Sequence, residues 1–218
     1  MQVNVIGHST LGSPIFSYVF GEGKDVLLLG GVHGDEIEGV FFAQELLAKV
    51  RAEAVPNLRL HIVPQVNPDG ILLKQRANYN NIDLNRNLPT KDWHPEAFNP
   101  RYNPGTQANS EAENKALVSY LDQHDFRFLF SFHSFEKYLL NVNGDCEPYA
   151  SILSDITSYP IEESMGYPTP GCLGTYTGLE RGIPTITYEL ERGKPIKELL
   201  DLHRPAMLQV LNKMSEDL

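Results

Sequence analysis

His33 and Glu36 stand three residues apart in the stretch GGVHGDEIEG, residues 30–39. An imidazole and a carboxylate at that spacing can hold one metal ion if the turn between them opens a helix. A second histidine, His133, ends the apolar stretch FSFHS, residues 130–134, and Glu189 interrupts the β-branched run TITYEL, residues 185–190. Strand interiors disfavour glutamate, so a carboxylate there asks for a reason. Two imidazoles and one carboxylate, with the fourth position open to water, make the ligand set of a catalytic zinc ion. Zinc lowers the pKa of its water to about 7 and polarises a carbonyl. A second carboxylate must then take the water's proton and pass it to the leaving amine, and Glu189 suits that task. Spacing alone leaves a plainer reading standing: an H-x-x-E pair arises by chance, and His133 can be a hydrogen-bonded core histidine.

The stretch QRANYNNIDLNRNLP, residues 75–89, adds a second chemistry. Arg86 with Asn85 can clamp a carboxylate through charge-assisted hydrogen bonds. Arg76 can stabilise the oxyanion of a tetrahedral intermediate. Taken alone, the same residues read equally as a solvated turn, because asparagine is common in turns.

Positioning these groups requires regular elements. Apolar runs predict strands near Ile15–Phe20, Val26–Gly30, Leu58–Val63, Phe128–Phe132, Tyr138–Val142 and Thr185–Leu190. Helical spacing of apolar residues appears near Glu36–Val50, Ser110–His124, Pro148–Thr157 and Pro195–Met214. Ser110 followed by Glu113 reads as a capping box. Strands alternating with helices predict a three-layer α/β/α sandwich around a mixed, mostly parallel sheet, with residues 1–218 as a single domain. The candidate residues then fall at the carboxyl ends of strands, where open α/β sheets bind ligands. Residues 64–109 form a long polar connection, and such loops inside a compact domain are usually functional.

Composition narrows the class. A chain of 218 residues with 41% hydrophobic residues can bury a substantial core. A formal net charge of −10 argues against non-specific binding to nucleic acid or anionic membranes, so an anionic ligand would need specific arginines. No apolar run approaches the roughly 20 residues of a membrane span. The opening MQVNVIGHST carries no signal-peptide pattern. Two cysteines, Cys146 and Cys172, rule against a disulfide framework while leaving one pair open.

The ordered set H-x-x-E, D-x-N-R-N, H-S and a late glutamate in T-x-E-L resembles the zinc carboxypeptidase family, over residues 30 to 190. VNPDG, LNRNLP, SFH and GYPTPGCLGTY are similar to segments of its murein peptide amidase branch. Those are cytoplasmic enzymes of peptidoglycan recycling that cut the amide between γ-D-glutamate and meso-diaminopimelate. The resemblance implies one Zn2+ held by His33, Glu36 and His133. It implies Glu189 as base and then acid, Arg76 at the oxyanion, and Asn85 and Arg86 on the terminal carboxylate of a small peptide. Asp83 would fix the far nitrogen of His33. Tyr167, in GYPTPG, would close over substrate, the alternative being a tyrosine packed on its loop. The resemblance also makes Ser134–Phe135 a candidate cis bond, against a strong general preference for trans. The expected partner is that small peptide substrate, with no nucleic acid and no membrane, and the chain is expected to be a monomer or homodimer.

Two departures affect the substrate. Ser134 follows the third ligand where the branch has an aspartate, and Glu180 lies one position from an expected acidic residue. Glu180 is expected to be an exposed helix residue rather than a contact for the substrate's ammonium. A general metallocarboxypeptidase would use the same residues. The related N-acyl amino acid deacylases carry an added C-terminal β-domain, whereas only the helical segment 195–214 follows Glu189 here. A non-catalytic binding module would lack the base or a ligand, and this chain has them all.

Overall fold

The computed structural model describes residues 1–53 and 55–218. Its strands are β1 (Gln2–His8), β2 (Pro14–Phe20), β3 (Lys24–Gly30), β4 (Leu58–Val63), β5 (Phe126–Phe135), β6 (Leu139–Asn143), β7 (Ile161–Glu162) and β8 (Thr185–Glu191). They form one eight-stranded sheet in the order β1-β2-β4-β3-β5-β8-β6-β7. The central pairs β4/β3, β3/β5 and β5/β8 are parallel, while β1/β2, β2/β4 and β6/β8 are antiparallel. The helices are α1 (Ile37–Ala52), α2 (Pro68–Leu73), α3 (Ala112–Asp122), α4 (Tyr149–Thr157) and α5 (Ile196–Asp217).

The sheet has a core on each face. Phe42 of α1, Leu153 of α4 and Met207 of α5 pack on Phe128, Phe130, Phe132, Ile186 and Tyr188. Leu117 and Leu121 of α3 cover the other face, over Leu27, Leu29 and Leu129. Central parallel strands are buried on both sides, so their residues run apolar rather than alternating. Phe42 meets Phe132 edge to face, with ring centroids 4.8 Å apart. Removing such a buried ring costs about 3–5 kcal/mol.

Side-chain alternation explains the polar interruptions in β5 and β8. Phe128, Phe130 and Phe132 point to one core, so Ser131 and His133 point to the opposite face. Ile186, Tyr188 and Leu190 likewise leave Thr185, Thr187 and Glu189 on that opposite face.

Several expectations need correction. β1, β7 and the short α2 lie in segments where the apolar pattern is too short or too exposed to announce an element. Ser110 and Glu113 do not form a capping box: α3 begins at Ala112 with Glu111 at its cap. Glu113 instead accepts from the Thr10 amide and from Asn78, so a tertiary partner outcompetes the local one. The Ser134–Phe135 bond is not cis; among the described residues the cis bond is Glu147–Pro148. β5 runs on through Phe135, which pairs with Glu191 of β8, and extended ladder backbone suits an ordinary trans bond. Cys146 and Cys172 are both free and buried.

Candidate active site

Three strand ends converge on one point. β3 stops at Gly30, and the turn that follows carries His33 and Glu36 into α1, with Glu36 at the helix cap. Two glycines let this turn pack tightly. A Cβ on Gly34 would lie 2.0 Å from the Gly70 carbonyl carbon, and one on Gly39 would lie 2.3 Å from the Phe132 carbonyl oxygen. Gly34 thus packs the turn on α2, and Gly39 brings the first turn of α1 against β5, where His133 pairs in register with Glu189 of β8.

The ring nitrogens are arranged for a cation. His33 Nδ1 lies 2.9 Å from Glu36 Oε1, His133 Nδ1 lies 2.8 Å from Glu36 Oε2, and the two Nδ1 atoms are 3.1 Å apart. Behind them, His33 Nε2 meets Asp83 Oδ1 at 3.0 Å and His133 Nε2 meets Ser131 Oγ at 3.0 Å. Asp83 is an acceptor, so it holds the His33 proton on Nε2 and leaves the Nδ1 lone pair facing forward. The two Nδ1 atoms and the Glu36 carboxylate thus converge on one buried spot, where positive charge is favoured. The three residues bring one ligand atom each within 4.8 Å of the others. The donor set and its outer partners fit zinc.

Charge reinforces the arrangement. Burial opposes ionisation of Glu36, but the two histidines outweigh it and hold its carboxyl well below the ordinary range. Burial likewise opposes the Asp83 anion, and His33 and Arg76 overcome it. Burial lowers His33, as does Arg76, yet Glu36 and Asp83 leave its pKa raised. Glu189 behaves oppositely: burial, with the Glu36 charge adding to it, pushes it up to about 7 despite the opposing effect of His133. A carboxyl poised there is suited to exchanging protons near neutral pH.

These groups line a cavity of roughly 380 Å³ that also exposes Arg76, Asn85, Arg86 and Tyr167. Arg76 Nε donates to Asp83 Oδ2 at 2.9 Å and Nη1 donates to Glu36 Oε1 at 3.0 Å, which fixes its guanidinium beside the ligands. Asp83 caps the 3-10 turn Leu84–Arg86 by accepting from the Asn85 amide at 2.9 Å. Asn85 Oδ1 in turn accepts from the Leu173 amide at 2.8 Å. Of the residues predicted to act here, His33, Glu36, Arg76, Asn85, Arg86, Tyr167 and Glu189 line the cavity, and His133 and Asp83 sit behind it against Glu36 and His33. Glu180 does not line the cavity: it follows the helical turn Thr175–Leu179, and accepts from the Lys91 amide.

Sequence reasoning overlooked Ser131, Glu38 and Tyr102 and gave Ser134 no bonding role. Ser131 shares the strand face of His133, two residues away, and that periodicity is a usable signal. Ser134 donates to Glu38 Oε2 at 2.7 Å, and Glu38 Oε1 accepts from the Gly193 amide at 2.8 Å, tying α1 to the end of β8. Tyr102, in the 3-10 turn Pro100–Tyr102, also lines the cavity, and nothing in its local sequence marks it.

A buried His-Glu-His cluster at the carboxyl edge of a mixed sheet, with a glutamate paired in register beside it, defines a metal-dependent hydrolase. The zinc carboxypeptidase family model matches residues 1–160, and the chain belongs to that family. It is a hydrolytic enzyme. Murein peptide amidase A of Vibrio campbellii is 31% identical over 197 residues, covering 84% of this chain and 77% of that protein. The crystal structure of murein-tripeptide amidase from Escherichia coli O157 superposes with a TM-score of 0.83 at 26% identity, covering 97% of this chain and 92% of that one. Bovine thrombin-activatable fibrinolysis inhibitor shares the fold, with a TM-score of 0.80 at 20% identity over 99% of this chain and 89% of that one.

Proposed function

We propose that this chain is a single-domain zinc amidase that cleaves the γ-D-glutamyl–meso-diaminopimelate bond of small murein peptides. The observation that carries the reading is the facing of His133 and Glu189 on neighbouring strands, beside two arginines and an asparagine suited to a terminal carboxylate. His33, Glu36 and His133 would hold one zinc ion, with Asp83 fixing the His33 ring. Bound zinc would polarise the scissile carbonyl and acidify a water.

Asn85 and Arg86 receive the substrate's free carboxylate, which sets the preceding amide between Arg76 and Glu189. Glu189 takes a proton from the attacking water as its oxygen bonds to the amide carbon. Arg76 donates to the carbonyl oxygen as that atom becomes negative. Glu189 then delivers the proton to the amide nitrogen, the C–N bond breaks, and the amine leaves. Tyr167 closes the cavity and keeps bulk water from the reacting atoms.

Similarity to the murein amidases supports action on murein peptides; a place in peptidoglycan recycling in the cytoplasm, as a monomer or homodimer, is part of the same proposal. Among the described residues, no helix is long and apolar enough to cross a membrane.

The test is hydrolysis of L-Ala-γ-D-Glu-meso-diaminopimelate by the zinc-loaded protein, with a chelated sample and an ordinary C-terminal L-peptide alongside. Release of diaminopimelate that chelation stops is the expected result. Cleavage of the L-peptide alone would reassign the protein as a general metallocarboxypeptidase. Turnover that survives full metal removal would overturn the zinc assignment.

A further inference from the structure

Arg86 is a buried cation without an acid of its own. The residue is 3% exposed, its Nη1 donates to the Asn85 carbonyl, and its Nε has no hydrogen-bond partner. Arg76, by contrast, is paired with both Glu36 and Asp83. Among the described residues, no carboxylate forms an ion pair with Arg86. A guanidinium removed from water and left unpaired is costly, so the surroundings must supply negative potential in another form.

Aromatic faces supply it. The Arg86 Cζ lies 5.2 Å from the centroid of the Tyr102 ring and 6.0 Å from that of Tyr167. Tyr102 also lies 5.2 Å from the Arg76 Cζ, so one ring faces both guanidinium groups of the site. Such contacts are strongest where water is excluded. Tyr102 and Tyr167 are stacked, with centroids 5.9 Å apart and planes 23° from parallel. Phe98 packs on Tyr102 at 5.0 Å.

Arg86 and Tyr102 also line a second, smaller cavity of roughly 150 Å³, walled mainly by Phe98, Pro104, Pro168 and Pro170; His94 and the exposed Glu96 line it too, but Glu96 forms no ion pair with Arg86. The pair is therefore a partition between the polar site and an apolar slot. Its placement is set by backbone. Asn99 Oδ1 accepts from the Arg101 amide at 2.9 Å to start the turn that holds Tyr102. The Asp83 amide donates to the Asn103 carbonyl at 2.8 Å, clipping that turn to the one bearing Asn85 and Arg86. No hydrogen bond is made by the Tyr102 hydroxyl among the described residues, so the ring rather than the hydroxyl is the working part.

We propose that Tyr102 is a positioning residue for carboxylate recognition. Its face holds the Arg86 guanidinium in place, whereas Arg76, which it also faces, is already fixed by Glu36 and Asp83. Arg86 is thereby kept free of internal acids, and the substrate's carboxylate becomes its anionic partner. This rests on the assignment of Arg86 as the carboxylate receptor.

The experiment compares wild type, Tyr102→Phe, Tyr102→Leu and a Tyr102→pentafluorophenylalanine protein, each zinc-loaded. The substrates are the tripeptide as free acid and as the amide of the carboxylate docked on Arg86. Tyr102→Phe should match wild type. Tyr102→Leu should raise KM for the acid about tenfold, equivalent to ~1.4 kcal/mol, with kcat within about twofold. Its preference for acid over amide should shrink by the same factor. The fluorinated ring keeps the shape and removes the negative face, so it should behave like leucine even if the leucine variant does not fold. An unchanged acid KM with the fluorinated ring, or a Tyr102→Phe variant as poor as leucine, would overturn the role of the ring face alone. Equal cleavage of acid and amide by wild type would overturn the Arg86 assignment and this inference with it.

Discussion

At the start of β3, Asp25 accepts from His61 and Arg59; beyond its other end, His33 and Glu36 face His133. Both groups set buried histidine against carboxylate in the same sheet. Around His61 each polar atom has a partner. Its Nε2 meets Asp25 Oδ1 at 2.9 Å, its Nδ1 meets the Tyr120 hydroxyl, and that hydroxyl meets Ser17 Oγ at 2.7 Å. Burial pushes His61 down to about 4, so it stays neutral and structural at ordinary pH. Around His33 and His133 the outer nitrogens are satisfied in the same way, but the inner ones turn toward one another and toward Glu36. A buried histidine with a carboxylate partner is therefore no sign of function by itself. Two ring nitrogens and a carboxylate converging on one buried point is the distinguishing feature.

The largest effect expected from breaking this comparison comes at Glu189. Glu189→Gln should lower kcat by about 10²- to 10⁴-fold while leaving zinc content intact, measured by rate assay and metal analysis on one sample. A near wild-type rate would remove Glu189 from the chemistry. Asp83→Asn should weaken zinc binding about 10- to 100-fold, read by competition with a chelator, because the far nitrogen of His33 loses its anionic acceptor. Unaltered affinity would show that the His33 ring holds its orientation unaided. His61→Ala sharpens the contrast from the other side. It should cost about 2–4 kcal/mol of unfolding free energy, leaving Asp25 and Tyr120 without a shared partner, with kcat unchanged in the folded enzyme. A kcat loss with stability retained would contradict a purely structural role.

A last effect is in pH dependence. His61 and His203 are both held down to about 4 by burial. Between pH 6.5 and 4 the unfolded chain protonates these imidazoles while the folded chain keeps them neutral. Their contribution to stability is thus complete above pH 6.5 and is lost as pH falls toward 4, at up to ~1.4 kcal/mol per pH unit for each residue. Denaturant midpoints measured across that interval should fall with acidity, and His61→Gln should flatten the slope. An equal slope in the variant would transfer the effect to other groups.

Much of the site is legible along the chain because strand ends are legible. His33 with Glu36 follows an apolar run and two glycines, and Glu189 breaks a β-branched one, so each stands out against its own neighbours. The asparagine–arginine pair at 85 and 86 is distinctive in type. Tyr102 is not, since a tyrosine among prolines and asparagines looks like any loop residue; only the clip between Asp83 and Asn103 brings it to both arginines. The Ser110–Glu113 pattern misled for a related reason. A local hydrogen bond competes with distant ones, and Glu113 is fully buried against Thr10 and Asn78.

Residue types and short-range pattern by themselves determined the donors available, the alternation of strands and helices, and the polar face of β5 and β8, because two-residue periodicity dictates which side chains share a side. The tertiary structure alone decided that His133 and Glu189 lie opposite each other, since register between strands 56 positions apart depends on how the whole sheet packs. It also decided that two ring nitrogens meet at 3.1 Å and that Arg86 lacks an internal acid. Those are facts of distance, set by packing between segments remote in the chain.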